Sequence, residues 1–259
     1  MKKNLIETAL NFIFPQACGF CGEITNSYLC EYCNEYLKQR QMNKIQKYDD
    51  KFFDEHLWIY EYKDEVREKI IDYKFNNKSY LYRTFLQIIL STESVCNYIK
   101  KFDILIPVPI HKKRAKKRGY NQSELIAKGI AKNIKSIQLQ TNIIEKVNNI
   151  KPQSTLSKDM RIENVKNAYR LKKCDICLKN KNILLIDDVF TTGSTVNECA
   201  KILLQTECNK VSIITLAKDW QMYIKILIIM VIIYDILQDQ LSEIIISLWM
   251  EWGDFIWNL

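Results

Sequence analysis

Residues 183–195 read ILLIDDVFTTGST, and this run limits the possible folds more than any other stretch. An unbroken aliphatic series marks a strand covered on both faces, as in the middle of a parallel sheet. Here the series meets two adjacent carboxylates, Asp187 and Asp188, and then a hydroxyl-rich loop around Gly193. Neighbouring aspartates repel each other and neither is readily buried. Their position implies a bound group that uses them, and in parallel sheets ligands gather at the carboxyl ends of strands.

The surrounding chain supports that placement. HLWIYEY (56–62) alternates like a strand, and FDILIPVPI (102–110) reads as a second buried one. Helical periodicity runs through EVREKIIDYKF, LYRTFLQIILSTESVCNYIKK and NQSELIAKGIAKNI. The helix after Ser194 and the strand KVSIITLA close a β-α-β unit behind the strand 182–188. Strands alternating with helices predict an α/β fold, a doubly wound and mostly parallel sheet flanked by helices. At 259 residues and 47% hydrophobic, the chain can hold one good core with a small appendage, or two modest domains.

Carboxylates accept hydrogen bonds, and the loop Thr191-Thr192-Gly193-Ser194-Thr195 supplies donors at a helix start, forming an anion cradle. Gly193 lets backbone approach the anion without a Cβ in the way. Together they suit vicinal hydroxyls at one end of a ligand and a phosphate at the other, the shape of a ribose 5-phosphate. The Gly-Lys-Ser/Thr of a P-loop is missing.

Nine cysteines, four of them clustered, suit metal binding better than a disulfide framework. Cys18-x-x-Cys21 and Cys30-x-x-Cys33 can supply all four ligands of one tetrahedral zinc, with Gly19 and Gly22 easing the turn. Such a site has no open position, so its role is stability or docking. Cys174 and Cys177 form a third such pair without a second pair near it, read as coincidence. His56 and His111 form no catalytic set.

The run 183–195 resembles the phosphoribosyl-pyrophosphate (PRPP) signature of type I phosphoribosyltransferases. The resemblance implies that Asp187 and Asp188 contact the ribose hydroxyls. It gives Thr191, Thr192, Gly193, Ser194 and Thr195 to the 5-phosphate. PVPIHKKRAKKRGYNQSELIA resembles a segment of the ComF family of competence-associated proteins. PQSTLSKDMRIENVKNAY resembles another, through Gln153, Leu156, Arg161 and Asn164. With the cysteine pairs, the match covers about residues 1–218. It implies a zinc module over 1–48 and a type I phosphoribosyltransferase-like domain over 49–219. The implied activity is transfer of phosphoribosyl from PRPP to an unidentified acceptor, magnesium assisting the departure of pyrophosphate. Gln153 and Arg161 fall where related enzymes carry a lid, and the family links the chain to DNA uptake.

Six cations crowd residues 112–118, with Arg114 and Arg118 as the candidate pyrophosphate or substrate contacts. A solvated basic loop, or a nucleic-acid contact with Tyr120 stacked on a base, would use the same residues. The net charge of +8 suits anionic partners without naming one. The rival to an enzyme is therefore a non-catalytic adaptor that meets single-stranded DNA or competence and DNA-processing proteins.

No secretory signal is read at the start, where Glu7 interrupts an apolar helical face, so a cytoplasmic protein is expected. Residues 220–259 depart from the family pattern and hold four of the five tryptophans. ILIIMVII is shorter than a bilayer span and bracketed by Lys225 and Asp235. A membrane or partner segment, an added helix and a frameshift product all fit this tail.

Overall fold

A computed structural model of the chain describes residues 15–147, 168–172 and 176–220. The chain divides into two compact units, residues 1–219 and 220–259. Of the second, Trp220 alone is described. Gln153 and Arg161 of the expected lid, the expected N-terminal helix, Cys174 and the sequence beyond Trp220 lie outside the described residues.

The elements run α1 (Glu31–Lys38), β1 (Lys44–Lys47), β2 (Glu55–Glu61), α2 (Asp64–Phe75), α3 (Leu81–Ser91), α4 (Glu93–Ile99), β3 (Ile104–Pro107) and α5 (Lys112–Arg118). They continue with α6 (Gln122–Asn133), β4 (Gln138–Leu139), β5 (Ile144–Lys146), β6 (Tyr169–Leu171), β7 (Asn182–Phe190), α7 (Ser194–Leu204) and β8 (Lys210–Lys218). Six strands form one sheet in the order β1-β2-β8-β7-β3-β4. Only the β1–β2 pair is antiparallel; the β2–β8, β8–β7, β7–β3 and β3–β4 pairs are parallel. The mostly parallel sheet flanked by helices is thus present. β5 and β6 make a separate antiparallel ribbon.

β7 and β8 occupy the middle, which is why their sequences are aliphatic on both sides. Leu184, Ile186, Ile214 and Leu216 pack into one core with α1 to α4 and α6. Ile183, Leu185, Val211 and Ile213 pack into the other with α7 and the β5–β6 ribbon. The cysteine segment joins the first core, where Cys18, Leu29, Cys30 and Cys33 are buried beside Leu81 and Phe85.

Three local expectations need correction. β7 does not stop at residue 188: it pairs with β8 as far as Phe190↔Lys218, so both acids lie within a strand. The basic segment is a helix, α5, rather than a loop. His111 caps it, Nδ1 accepting the Lys113 N–H at 3.2 Å. Lysine and arginine are good helix formers, and none of its residues is fully buried, so all its charges but that of half-buried Arg118 stay solvated. The helical pattern over 81–101 breaks at Thr92 (φ −100°, ψ 102°) into α3 and α4. The segment between β1 and β2 holds a fully buried Phe53.

Candidate functional site

The parallel arrangement brings the carboxyl ends of β7, β8 and β3 to one edge, with the starts of α6 and α7 facing them. Asp187 and the loop Phe190–Val196 line a common cleft. Gly193 is the N-cap of α7 and adopts φ +74°, and a Cβ there would lie 2.5 Å from the Phe190 ring. Glycine is required on both counts. Thr192 Oγ1 accepts the Ser194 N–H at 3.2 Å and lies 2.7 Å from the Ser194 hydroxyl. The turn is therefore stiffened by its own hydroxyls, leaving the helix start facing the cleft.

The two aspartates have different partners. Asp187 Oδ1 accepts from the Ser123 hydroxyl at 3.1 Å and from the Asp188 N–H at 2.9 Å. Burial, and then the charge of Asp188, raise its pKa to about 7. Asp188 pairs with Lys74 of α2 at 2.7 Å, both side chains sheltered. Arg118 is half-buried with its guanidinium 5.2 Å from the Phe75 ring centre. Burial lowers its pKa while the field of Asp188 works against that loss. Arg114, one turn earlier on the same helix, is exposed. Tyr120 is packed: its ring stacks on Tyr73 at 5.7 Å and its hydroxyl donates to the Tyr73 carbonyl.

Several neighbours of this edge carried no sequence signal. Lys146 of β5 donates to the Tyr169 hydroxyl at 2.9 Å. Burial lowers its pKa, and the Arg114 charge adds to that. Burial raises the Tyr169 phenol, with Cys199 and Asp187 adding to the effect. Beneath the loop, the His56 ring stacks on Phe190 with centroids 4.2 Å apart, and Nε2 lies 2.8 Å from the Thr215 hydroxyl. Burial, then the charge of Lys218, keep that histidine neutral. Lys218 is itself buried, bonded to Gln46 Oε1 at 2.7 Å and the Tyr48 hydroxyl at 3.1 Å, with Nζ 4.3 Å from the Trp58 ring centre. Burial brings it down to about 8. Each contact joins residues far apart in sequence, so no local pattern announces it.

Cys18, Cys21, Cys30 and Cys33 place their sulfurs within 4.8 Å of one another. The Cys21–Cys30 separation of 3.7 Å matches the ~3.8 Å edge of a tetrahedron with metal–sulfur bonds of about 2.3 Å. Gly22 turns the first knuckle with φ +82°. Gly19 serves packing instead, since a Cβ there would meet Thr84 Oγ1 at 2.2 Å. Burial opposes ionisation of Cys18, but N–H groups of Cys21, Cys30 and Phe20 outweigh it and bring the thiol down to about 7. Burial raises Cys33, helped by the neighbouring sulfurs. Four thiols this close can ionise together only around a cation, and the cluster fits a structural metal such as zinc. Among the described residues no other metal-binding group of this kind occurs.

No protein-family model matches the chain. Competence protein F of Haemophilus influenzae is 29% identical over 208 residues, spanning 79% of this chain and 85% of that protein. Competence protein ComFC of Bacillus subtilis is 27% identical over 202 residues, spanning 76% and 75%. The chain is similar to these two competence proteins over most of its length, which supports a place in the ComF family. DNA utilization protein YhgH of Escherichia coli O157:H7, 35% identical, matches over 40% of this chain and 44% of its own length. Among solved structures, a hypoxanthine phosphoribosyltransferase from Staphylococcus aureus is 14% identical, covering 53% of this chain and 62% of that one with a TM-score of 0.34. A likeness that low has no bearing on the site, and the fold class stands on the strand order. Among the described residues, no helix is long and apolar enough to cross a membrane.

Proposed function

We propose that this protein binds PRPP and transfers its phosphoribosyl group to an acceptor, with release of pyrophosphate. The observation that carries the reading is the shared cleft of Asp187 and the loop 190–196. It sets hydrogen-bond acceptors for ribose hydroxyls a few residues from a stiff, donor-rich helix start suited to the 5-phosphate. In this reading Asp187 and Asp188 hold the ribose, and Thr191 to Thr195 hold the phosphate. Arg114 and Arg118 lie where leaving oxygens gain charge, and Gln153 and Arg161 belong to a closing segment. Magnesium would travel with the pyrophosphate and neutralise it. The four cysteines would hold zinc as a structural ion.

Calorimetric titration of PRPP with magnesium into the purified protein, beside an Asp187→Ala/Asp188→Ala variant, tests the reading. Binding that vanishes in the variant is expected. Absence of binding by folded, zinc-loaded wild type would remove it.

A second reading has its own support in α5, whose six cations lie on a helix with no buried residue. An adaptor that lays this helix along single-stranded DNA, or against a partner in DNA uptake, would use it. The relatives' names, which speak of competence and DNA utilization, agree with that biology. Salt-sensitive DNA binding without pyrophosphate release would favour the adaptor.

A further inference from the structure

We propose that Lys74 is the residue by which the site tells a ribose carrying a pyrophosphate at C1 from one that does not. The inference rests on the PRPP reading above.

Lys74 lies in the last turn of α2, where the helix dipole favours a cation. Its root is clamped: the Tyr73 hydroxyl donates to the Gln122 carbonyl at 2.9 Å, while Tyr120 stacks on the Tyr73 ring and donates to the Tyr73 carbonyl. The ammonium is carried across to Asp188, 2.7 Å from Oδ1, with side-chain exposures of 19% and 10%. Arg118 of α5 lies within the field of the same carboxylate. Asp188 thus has Lys74 as its ion-pair partner and a second cation nearby from another helix.

That geometry has a consequence for ligand choice. Ribose hydroxyls donating to the same carboxylate draw on the charge that Asp188 shares with Lys74. A sugar hydroxyl is neutral and cannot compensate the ammonium for that loss in a sheltered place. A pyrophosphate on the carbon next to the 2-hydroxyl can. The ammonium then gains a phosphate oxygen as Asp188 turns to the hydroxyls, whereas ribose 5-phosphate alone would weaken the Asp188 pair without offering another anion. Free pyrophosphate should hold the same ammonium.

The test compares three probes, magnesium-PRPP, magnesium-pyrophosphate and ribose 5-phosphate, titrated into wild type, Lys74→Met and Lys74→Arg. Circular dichroism and bound zinc serve as checks on folding. We expect Lys74→Met to weaken PRPP and pyrophosphate by about tenfold or more, a loss of about 1.4 kcal/mol. Ribose 5-phosphate should stay within about twofold or tighten, because its competitor for Asp188 is gone. Lys74→Arg should retain most of the PRPP affinity. Should the Met variant fail to fold, Lys74→Gln, neutral but able to hydrogen-bond Asp188, carries the same comparison. Equal weakening of all three probes, or an unchanged PRPP affinity, overturns the inference while leaving PRPP binding intact. Wild type that binds none of the probes removes the PRPP reading itself.

Discussion

Asp187 binds more protons in the folded chain than in the unfolded one over a defined window. Its folded pKa of about 7 lies above the ordinary 3.8 because burial and the Asp188 charge disfavour the anion. Folding stability therefore falls as pH rises from about 3.8 to about 7, and the penalty is complete above that. Asp187→Asn should raise the melting temperature relative to wild type at pH 7.5 and give little gain at pH 4; an equal gain at both would contradict this account. Gly193→Ala tests the loop at the same scale. A left-handed backbone costs a β-carbon residue about 1–2 kcal/mol, and the overlap with Phe190 adds to it. Affinity for ribose 5-phosphate should fall by about tenfold or more, checked by titration of the folded variant. The acids and the hydroxyl loop were legible because they are contiguous in sequence. Lys74, Ser123 and Lys146 were not, since each reaches the edge from an element whose position depends on the tertiary fold.

Among the elements, long ones with a clear period were legible: α2, α6, α7, β7 and β8 lie within a few residues of their sequence signals. Charge hid α5, because a helix with no buried face has no apolar stripe to betray it. β1, β4, β5 and β6 span two to four residues, too few for alternation to show. The cysteine knuckle was legible from spacing alone, whereas its packing against α3 through Gly19 and Thr84 was not. That packing makes metal loss a matter for the main core. Cys21 is exposed, so Cys21→Ser removes a ligand with little loss of burial. Bound zinc should drop from one per chain, and the melting temperature should fall by about 6–12 °C if ~3 kcal/mol is lost. An unchanged melting temperature in a zinc-free variant would mean that packing alone holds the knuckle.

Across the whole molecule, one core on each face of the sheet was foreseeable from the doubly aliphatic β7. The aromatic and polar cluster holding Lys218 between β1, β2 and β8 was not, because a lysine at a strand end ordinarily reads as solvated. Burial sets Lys218 near 8 against an ordinary 10.5. The unfolded chain then binds more protons between those values, so this residue makes stability rise with pH across that window, and its cost is complete below about 8. Lys218→Met should flatten that rise when melting temperatures at pH 8 and pH 10 are compared with wild type. A slope that survives the substitution would assign it to other groups.

The β5–β6 ribbon has a further consequence. The Val147 N–H donates to the Ala168 carbonyl at 2.8 Å, so the chain leaves the ribbon and re-enters it one hydrogen bond apart. Closing a loop on a fixed base depends only weakly on its length, about 0.6 kcal/mol for each doubling. A change in the number of residues between Val147 and Ala168 should therefore cost little and leave β7, β8 and the loop 190–196 in register.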